Sequence, residues 1–290
     1  MPIELRKDYS DMLDEVYAAA SLTSDLTADK KLIKAGSHAK SVLYPTVNVD
    51  GLADYSRNSG YVDGSIDVEY TEFEFDYDRG RKFKIDAVDD QESFDVLLGV
   101  ASGTFLRTKV APEDDAFTFA KIAEAEGISM VPAGITYADG SEALKAIVKA
   151  NAQMTEDEVP KENRFLYITP TLHEEIKALD TTKSREVLKG FTKIIEVPQG
   201  RFYTAIKMLS GKTEDGEAAG GYTKADDGKD INFLIIQKEA VIKINKHVAD
   251  KLIRAEENQT ADAHLVMYRK YGTTNVVKNK VAGIYLSHKE

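Results

Sequence analysis

Cysteine is absent from this chain of 290 residues, which excludes disulfides, thiolate zinc centres, iron–sulfur clusters and cysteine nucleophiles together. Long apolar runs are missing as well, and no stretch approaches the roughly 20 residues that a bilayer-crossing helix needs. The opening MPIELRKDYSDMLDEVYAAA mixes acids with apolar residues from the start and lacks the basic-then-apolar layout of a secretory leader. Positive charge is in short supply. The 38 Lys and Arg face 49 Asp and Glu, a formal net charge of −11, whereas proteins that grip nucleic acid neutralise phosphates with Lys and Arg. A container for DNA is still compatible with this charge, because an acidic wall does not adsorb its cargo. Internal repeats and low-complexity tracts are not found.

Motifs that carry chemistry are equally sparse. Gly211-Lys212-Thr213 ends like a phosphate-binding loop, but Ile206 stands where the first glycine belongs. His173-Glu174 begins a zinc-protease pattern whose second histidine is replaced by Lys177, and His38, His247, His264 and His288 are scattered. Glu72, Glu74, Asp76 and Asp78 offer paired carboxylates to a carbohydrate-active enzyme, yet their alternate spacing suits the solvent face of a strand better. Asp226-Asp227-Gly228 lacks the alternating ligands of a calcium loop. The residues therefore predict no catalytic group, cofactor or metal.

What is present is ordinary core-forming material, 42% hydrophobic and 30% charged residues, enough for one large or two medium domains. Leu5, Tyr9, Met12, Leu13, Val16 and Tyr17 recur near helical spacing, so residues 1–40 read as a helical arm. Val42, Leu43, Tyr44, Val47 and Val49 suggest a strand interrupted by Pro45, and Asp50-Gly51 then marks a turn. Ile66, Val68 and Tyr70 alternate, and the phase then shifts to Phe73, Phe75 and Tyr77, which suggests a bulge near Thr71-Glu72. Phe83 and Ile85 alternate too. A three-residue loop, Asp78-Arg79-Gly80, would bring them against Phe75 and Phe73, with Asp76 opposite Lys82 and Glu74 opposite Lys84. Such a hairpin is marginal alone and must lean on something else.

Asp89 and Glu92 resemble a capping box, and Phe94, Leu97, Leu98, Ala101 and Phe105 share one helical face. The stripe resumes beyond Pro112 with Ala116, Phe119, Ala120 and Ala123, and Gly127 suits a C-terminal stop. Pro112 either kinks one long helix or divides it in two. Residues 140–235 read as an α/β unit. Its parts are a helix capped by Ser141, a buried strand Phe165 to Thr169, a helix begun by Pro170, a strand Thr192 to Val197, an exposed glycine-rich loop over 210–230, and a strand Ile231 to Gln237. Strands return around Leu265, Met267 and Tyr271, then Val281 to Leu286.

In this order the segments resemble the capsid proteins of tailed bacteriophages, those with the Hong Kong phage fold. The likeness is carried by VNVDGLADYSRNSGYVDG (47–64), DRGRKFKIDAVDDQES (78–93), FLRTKVAPEDDAFTFAKIAEA (105–125), RFLYITPTLHEEIK (164–177), DINFLIIQKEAVI (230–242) and ADAHLVMYRKYGTTNVVKNKVAGIYL (261–286). The resemblance implies an α+β fold with five parts. These are an N-arm at 1–42, an extended β-hairpin E-loop at 43–90, a spine helix of the peripheral domain at 91–129, an α/β axial domain at 130–240, and a return to peripheral strands at 241–290. It implies a non-enzymatic subunit that assembles with itself into hexamers and pentamers around double-stranded DNA, with a portal. Residues 1–40 are too short for a built-in scaffolding segment, so a separate scaffolding protein is expected. Asp76, Asp78, Arg79, Gly80, Arg81 and Lys82 are then expected to touch a neighbouring subunit, and removing residues 76–82 to leave a folded monomer. Lys82 or Lys84 with Asn275 or Asn279 would be partners for an inter-subunit cross-link. An encapsulin-like nanocompartment shell shares the same fold and is the alternative; a tail-tube or baseplate protein is a further one.

Overall fold

The computed structural model describes residues 20–27, 34–35, 40–58, 60–88, 102–131, 133–179 and 182–290. Its largest sheet grows from two apolar runs, β6 (Arg164–Ile168) and β10 (Ile231–Gln237), every residue of which is buried. Around them the strand order is β5 (Ser129–Met130), β13 (Ile284–His288), β10, β6 and β7 (Lys193–Glu196). A strand buried on both faces reads as a continuous apolar run, because alternate side chains serve opposite layers. Tyr167, Leu234, Ile236 and Leu286 pack with Phe119 and Ile122 of helix α1 (Ala111–Ala123). Leu166, Ile168, Phe233 and Ile235 pack against α2 (Gly140–Glu156) and α3 (Pro170–Ala178); α4 (Thr182–Lys189) follows. The sheet is thus the middle of three layers.

Two sequence expectations change here, and the open choice at Pro112 is decided for one undivided helix. The cap of α2 is Asp139, not Ser141: its carboxylate accepts the Glu142 N–H at 2.9 Å while Glu142 accepts the Ala138 N–H at 3.0 Å. Pro112 neither ends nor divides its helix. A π-helical turn, Leu106–Val110, leads directly into α1, and a widened turn absorbs a residue that has no N–H and crowds the carbonyl four residues back. Phe94, Leu97, Leu98, Ala101 and the Asp89/Glu92 pair lie outside the described residues. Finally, β13 does not join the other closing strands but pairs antiparallel with β10, so residues 241–290 divide between two sheets.

The second large sheet has the order β11 (Val241–Ile253), β12 (Ala263–Val276) and β4 (Tyr77–Asp86). Tyr77 lies opposite Gly272, Gly80 opposite Arg269 and Asp86 opposite Ala263. Asp78-Arg79-Gly80 is therefore the interior of a strand and not a turn. The partner of β4 is β12, nearly 200 residues onward, so Asp76 never meets Lys82 nor Glu74 Lys84. Deleting residues 76–82 would remove half of a paired strand rather than trim a tip.

Helix α1 joins the two sheets through buried charge. Lys243 of β11 and Lys270 of β12 each reach one oxygen of Asp114 at 2.6 Å, all three side chains being at most 4% exposed. Burial acts to raise the Asp114 carboxyl, yet the two ammonium groups hold it well below the usual carboxylate range. Burial, abetted by Lys243, brings Lys270 down to about 8 in spite of Asp114. Asp115 next door accepts hydrogen bonds from Ser21 Oγ, Leu22 N, Thr23 N and Thr23 Oγ1, and pairs with Arg201 at 3.2 Å. This carboxylate fastens residues 20–27 to the molecule.

Candidate assembly surface

The nine-residue strands β2 (Ser41–Val49) and β3 (Ile66–Glu74) pair antiparallel from Ser41 opposite Glu74 to Val49 opposite Ile66, with no break in register. The expected bulge near Thr71-Glu72 is thus absent. The apparent phase shift has another cause, because the hairpin changes which face is apolar along its length. Residues directly opposite one another share a face. Val42, Tyr44 and Phe73 lie on one face near the root and pack with Phe75, Ile242, Ile244 and Val277. Farther out, the apolar residues Val47, Val49, Ile66, Val68 and Tyr70 occupy the other face, and with the described residues in place they are 43–71% exposed. Among the described residues the two-residue β1 (Lys34–Ala35) pairs with Val42 and Leu43.

The connection over 50–65 extends this surface while holding its shape. Asp50 N donates to Ser65 O at 3.1 Å and Ser65 N to an Asp50 carboxylate oxygen at 2.7 Å, closing the hairpin's end. A second pinch joins Ser56 and Gly60 by two backbone hydrogen bonds. The rings of Tyr55 and Tyr61 meet edge to face at 4.9 Å, and Leu52 and Val62 stand exposed beside them. Residues 41–74 carry seven acids against a single base, Arg57, which is more than half of the chain's formal net charge of −11.

The six residues expected to contact a neighbour lie elsewhere, and most find partners within the chain. Asp76 pairs with Lys121 at 3.0 Å and accepts from Thr273 Oγ1. Asp78 is gripped by two Arg269 nitrogens at 2.8 and 2.6 Å, and that hydrogen bonding lowers its pKa. Arg79 donates to Glu113 at 2.7 Å and to the Leu209 and Gly221 carbonyls. Arg81 donates to the Gly211 and Ala218 carbonyls. Gly80 has no room for a side chain, since a Cβ would stand 2.8 Å from Tyr268 O. Lys82 is exposed opposite Met267.

The glycine-rich stretch read as an exposed loop is therefore partly docked. It wraps Arg79 and Arg81, and its β8 (Ile206–Met208) and β9 (Tyr222–Lys224) pair with each other. Gly211 and Gly220 adopt positive φ, and a Cβ on Gly211 would stand 2.8 Å from the Arg81 guanidinium. The loop turns carbonyls toward cations, the reverse of a phosphate-binding loop, which offers N–H groups. Between it, β4 and the Leu106–Val110 turn lies a cleft of about 540 Å³ with Phe105, Tyr203, Tyr222 and Tyr268 on its walls and Arg81 and Lys109 at its edge. His173 lies buried on α3 and bonds Glu196 at 2.7 Å. Among the described residues no group of three His, Asp or Glu is placed to hold a metal ion, and no helix is long and apolar enough to cross a membrane.

Comparison with family models and with curated proteins gives no match. Solved structures do match. A structure from Mycobacterium phage Che8 superposes with a TM-score of 0.60 at 13% identity over 92% of this chain and 90% of its own. The capsid of cyanophage P-SCSP1u gives 0.59 at 14% identity over 93% and 88%. A virus-like particle from Pyrococcus furiosus gives 0.57 at 12% identity over 95% of both chains. The chain has the tailed-phage capsid fold.

Proposed function

We propose that this protein is the major capsid protein of a tailed bacteriophage, assembling with itself into the hexamers and pentamers of an icosahedral shell around double-stranded DNA. One observation carries the reading beyond the fold: the apolar face of the β2–β3 hairpin. Burying a Val, Ile or similar side chain is worth about 1.5–3 kcal/mol. A chain that leaves Val47, Val49, Ile66, Val68 and Tyr70 in water forgoes several such increments on one projecting arm. An exposed patch of this kind marks a surface meant for another protein. The hairpin serves as the E-loop of the fold, α1 with its preceding turn as the spine, and the five-stranded sheet with α2 and α3 as the axial domain. The acidic composition suits a wall that encloses DNA without adsorbing it. A separate scaffolding protein and a portal are the expected partners, and assembly takes place in the host cytoplasm.

The test is microscopy of the purified chain, alone and with its genomic neighbours co-expressed. Closed shells are the expected product, and Val47→Asp with Val68→Asp should give a folded subunit, by circular dichroism, that does not close them. Normal shells from this variant would refute the hairpin's role. The likeness to the Pyrococcus particle, over 95% of both chains, favours one second reading, a nanocompartment shell. Particles purified from the native source that hold double-stranded DNA support the phage reading; particles that hold a co-encoded enzyme support the other.

A further inference from the structure

We infer that the cleft between β4, the Leu106–Val110 turn and the 209–221 loop binds a small planar aromatic anion. Its ring would lie against the tyrosines and its charged group at Arg81 and Lys109. The inference stands apart from the shell reading, because a single chain supplies every wall.

Charge is the first argument. The chain as a whole carries −11, yet the cleft is lined by Arg79, Arg81, Lys109 and Lys224 against one acid, Glu113. Arg79 is matched by Glu113 and Lys224 by Asp230, but Arg81 and Lys109 have no carboxylate partner among the described residues. Arg81 donates to the Gly211 and Ala218 carbonyls, which occupies two of a guanidinium's five N–H groups and neutralises none of its charge. A concave site lined by one sign of charge gathers ions of the other sign.

Shape is the second. The volume, about 540 Å³, lies in the roughly 300–1,000 Å³ range of small-molecule sites. Its rings are held in place by the chain. Tyr222 Oη donates to Gly200 O at 2.8 Å, the Lys224 ammonium stands 5.5 Å from the centre of the Tyr203 ring, and Phe105 meets Tyr268 edge to face at 6.2 Å. Walls oriented before a ligand arrives lose little freedom on binding it. A Cβ on Gly211 or Gly220 would crowd the same Arg81 nitrogen, at 2.8 and 3.3 Å, so these two glycines leave the guanidinium its place.

The two arguments together select the ligand. A wholly apolar guest would leave two cations unmatched, and an inorganic anion would leave the rings uncovered. A flat ring carrying an anionic group answers both, since aromatic rings pack edge to face or offset against one another.

The test is calorimetric titration of the purified full chain at low salt with naphthoate as the probe. One site per chain is expected, with acetate giving no heat. The neutral naphthylmethanol should bind about tenfold more weakly, the usual worth of a charge-assisted hydrogen bond. Lys109→Glu should weaken naphthoate at least as much. Arg107→Glu makes the same charge change at an exposed position outside the cleft and should leave the affinity unaltered. Circular dichroism checks the fold of each variant, and Lys109→Gln replaces Lys109→Glu should that fold change. Deoxyadenosine monophosphate in the same titration separates the sources: tighter binding than naphthoate assigns a nucleotide, weaker binding an aromatic carboxylic acid. Equal loss in the Lys109 and Arg107 variants overturns the site in favour of overall charge. Loss in Val47→Asp with Val68→Asp overturns it in favour of the exposed hairpin, and no heat from either probe overturns it outright. Particle formation is not read in any arm, so these outcomes leave the shell reading untouched.

Discussion

At the scale of single residues, the buried Asp114–Lys243–Lys270 cluster is where stability and pH meet. Two cations share one carboxylate away from water, so removing the anion strands both. Asp114→Ala should cost about 3–5 kcal/mol, read as a lower urea midpoint for the dissociated subunit. The two titrations have opposite signs. Asp114 has a lowered folded pKa, so its contribution is present above its ordinary 3.8 and is lost as pH falls toward the folded value. Lys270 falls from 10.5 to about 8, so between those values the unfolded chain holds a proton that the folded chain does not. Stability supplied through Lys270 therefore rises from about pH 8 to pH 10.5. Urea midpoints measured across that window should show the increment in the unaltered chain and its loss in Lys270→Met. None of this is legible locally, because nothing beside Glu113, Asp114 and Asp115 in the sequence marks them as buried. Their cations arrive from Arg79, Arg201, Lys243 and Lys270.

At the scale of elements, the β4–β12 pairing makes Gly80 a site of close backbone approach and not of turning. Gly80→Val should lower the thermal midpoint, with a cost of about 1–3 kcal/mol for forcing atoms into a filled site. A glycine needed only for a turn would not depend on Tyr268 O, which stands 2.8 Å from the added Cβ. Elements whose signals are local were readable. The strands β6 and β10 announce themselves by apolar runs, with Asn232 alone interrupting residues 231–236, and α3 by Pro170. Pairing was not readable where the partner is remote. The alternation in β4 is genuine, and of the opposite charges that suggested a hairpin with β3, Asp76 is met by Lys121 instead. Likewise the phase shift in β3 looks like a bulge in one dimension. In three it is an exchange of roles between the root face and the outer face.

At the scale of the whole molecule, a three-layer body carries a long arm whose outer apolar face stands exposed among the described residues. Shell closure should thus be more sensitive to the arm than folding is. Trimming residues 52–63 to a short turn should leave the unfolding midpoint of the subunit within error, because the root cluster of Val42, Phe75, Ile242, Ile244 and Val277 is untouched. Light scattering should then show no growth of particles. The acidity of that arm has a kinetic meaning too. Seven acids beside an adhesive face make free subunits repel one another at that face, a brake that dilute electrolyte leaves on and screening by salt releases. The onset of assembly should accordingly show a lag that shortens steeply with ionic strength, so that subunits stay separate until crowded together and then close in a burst.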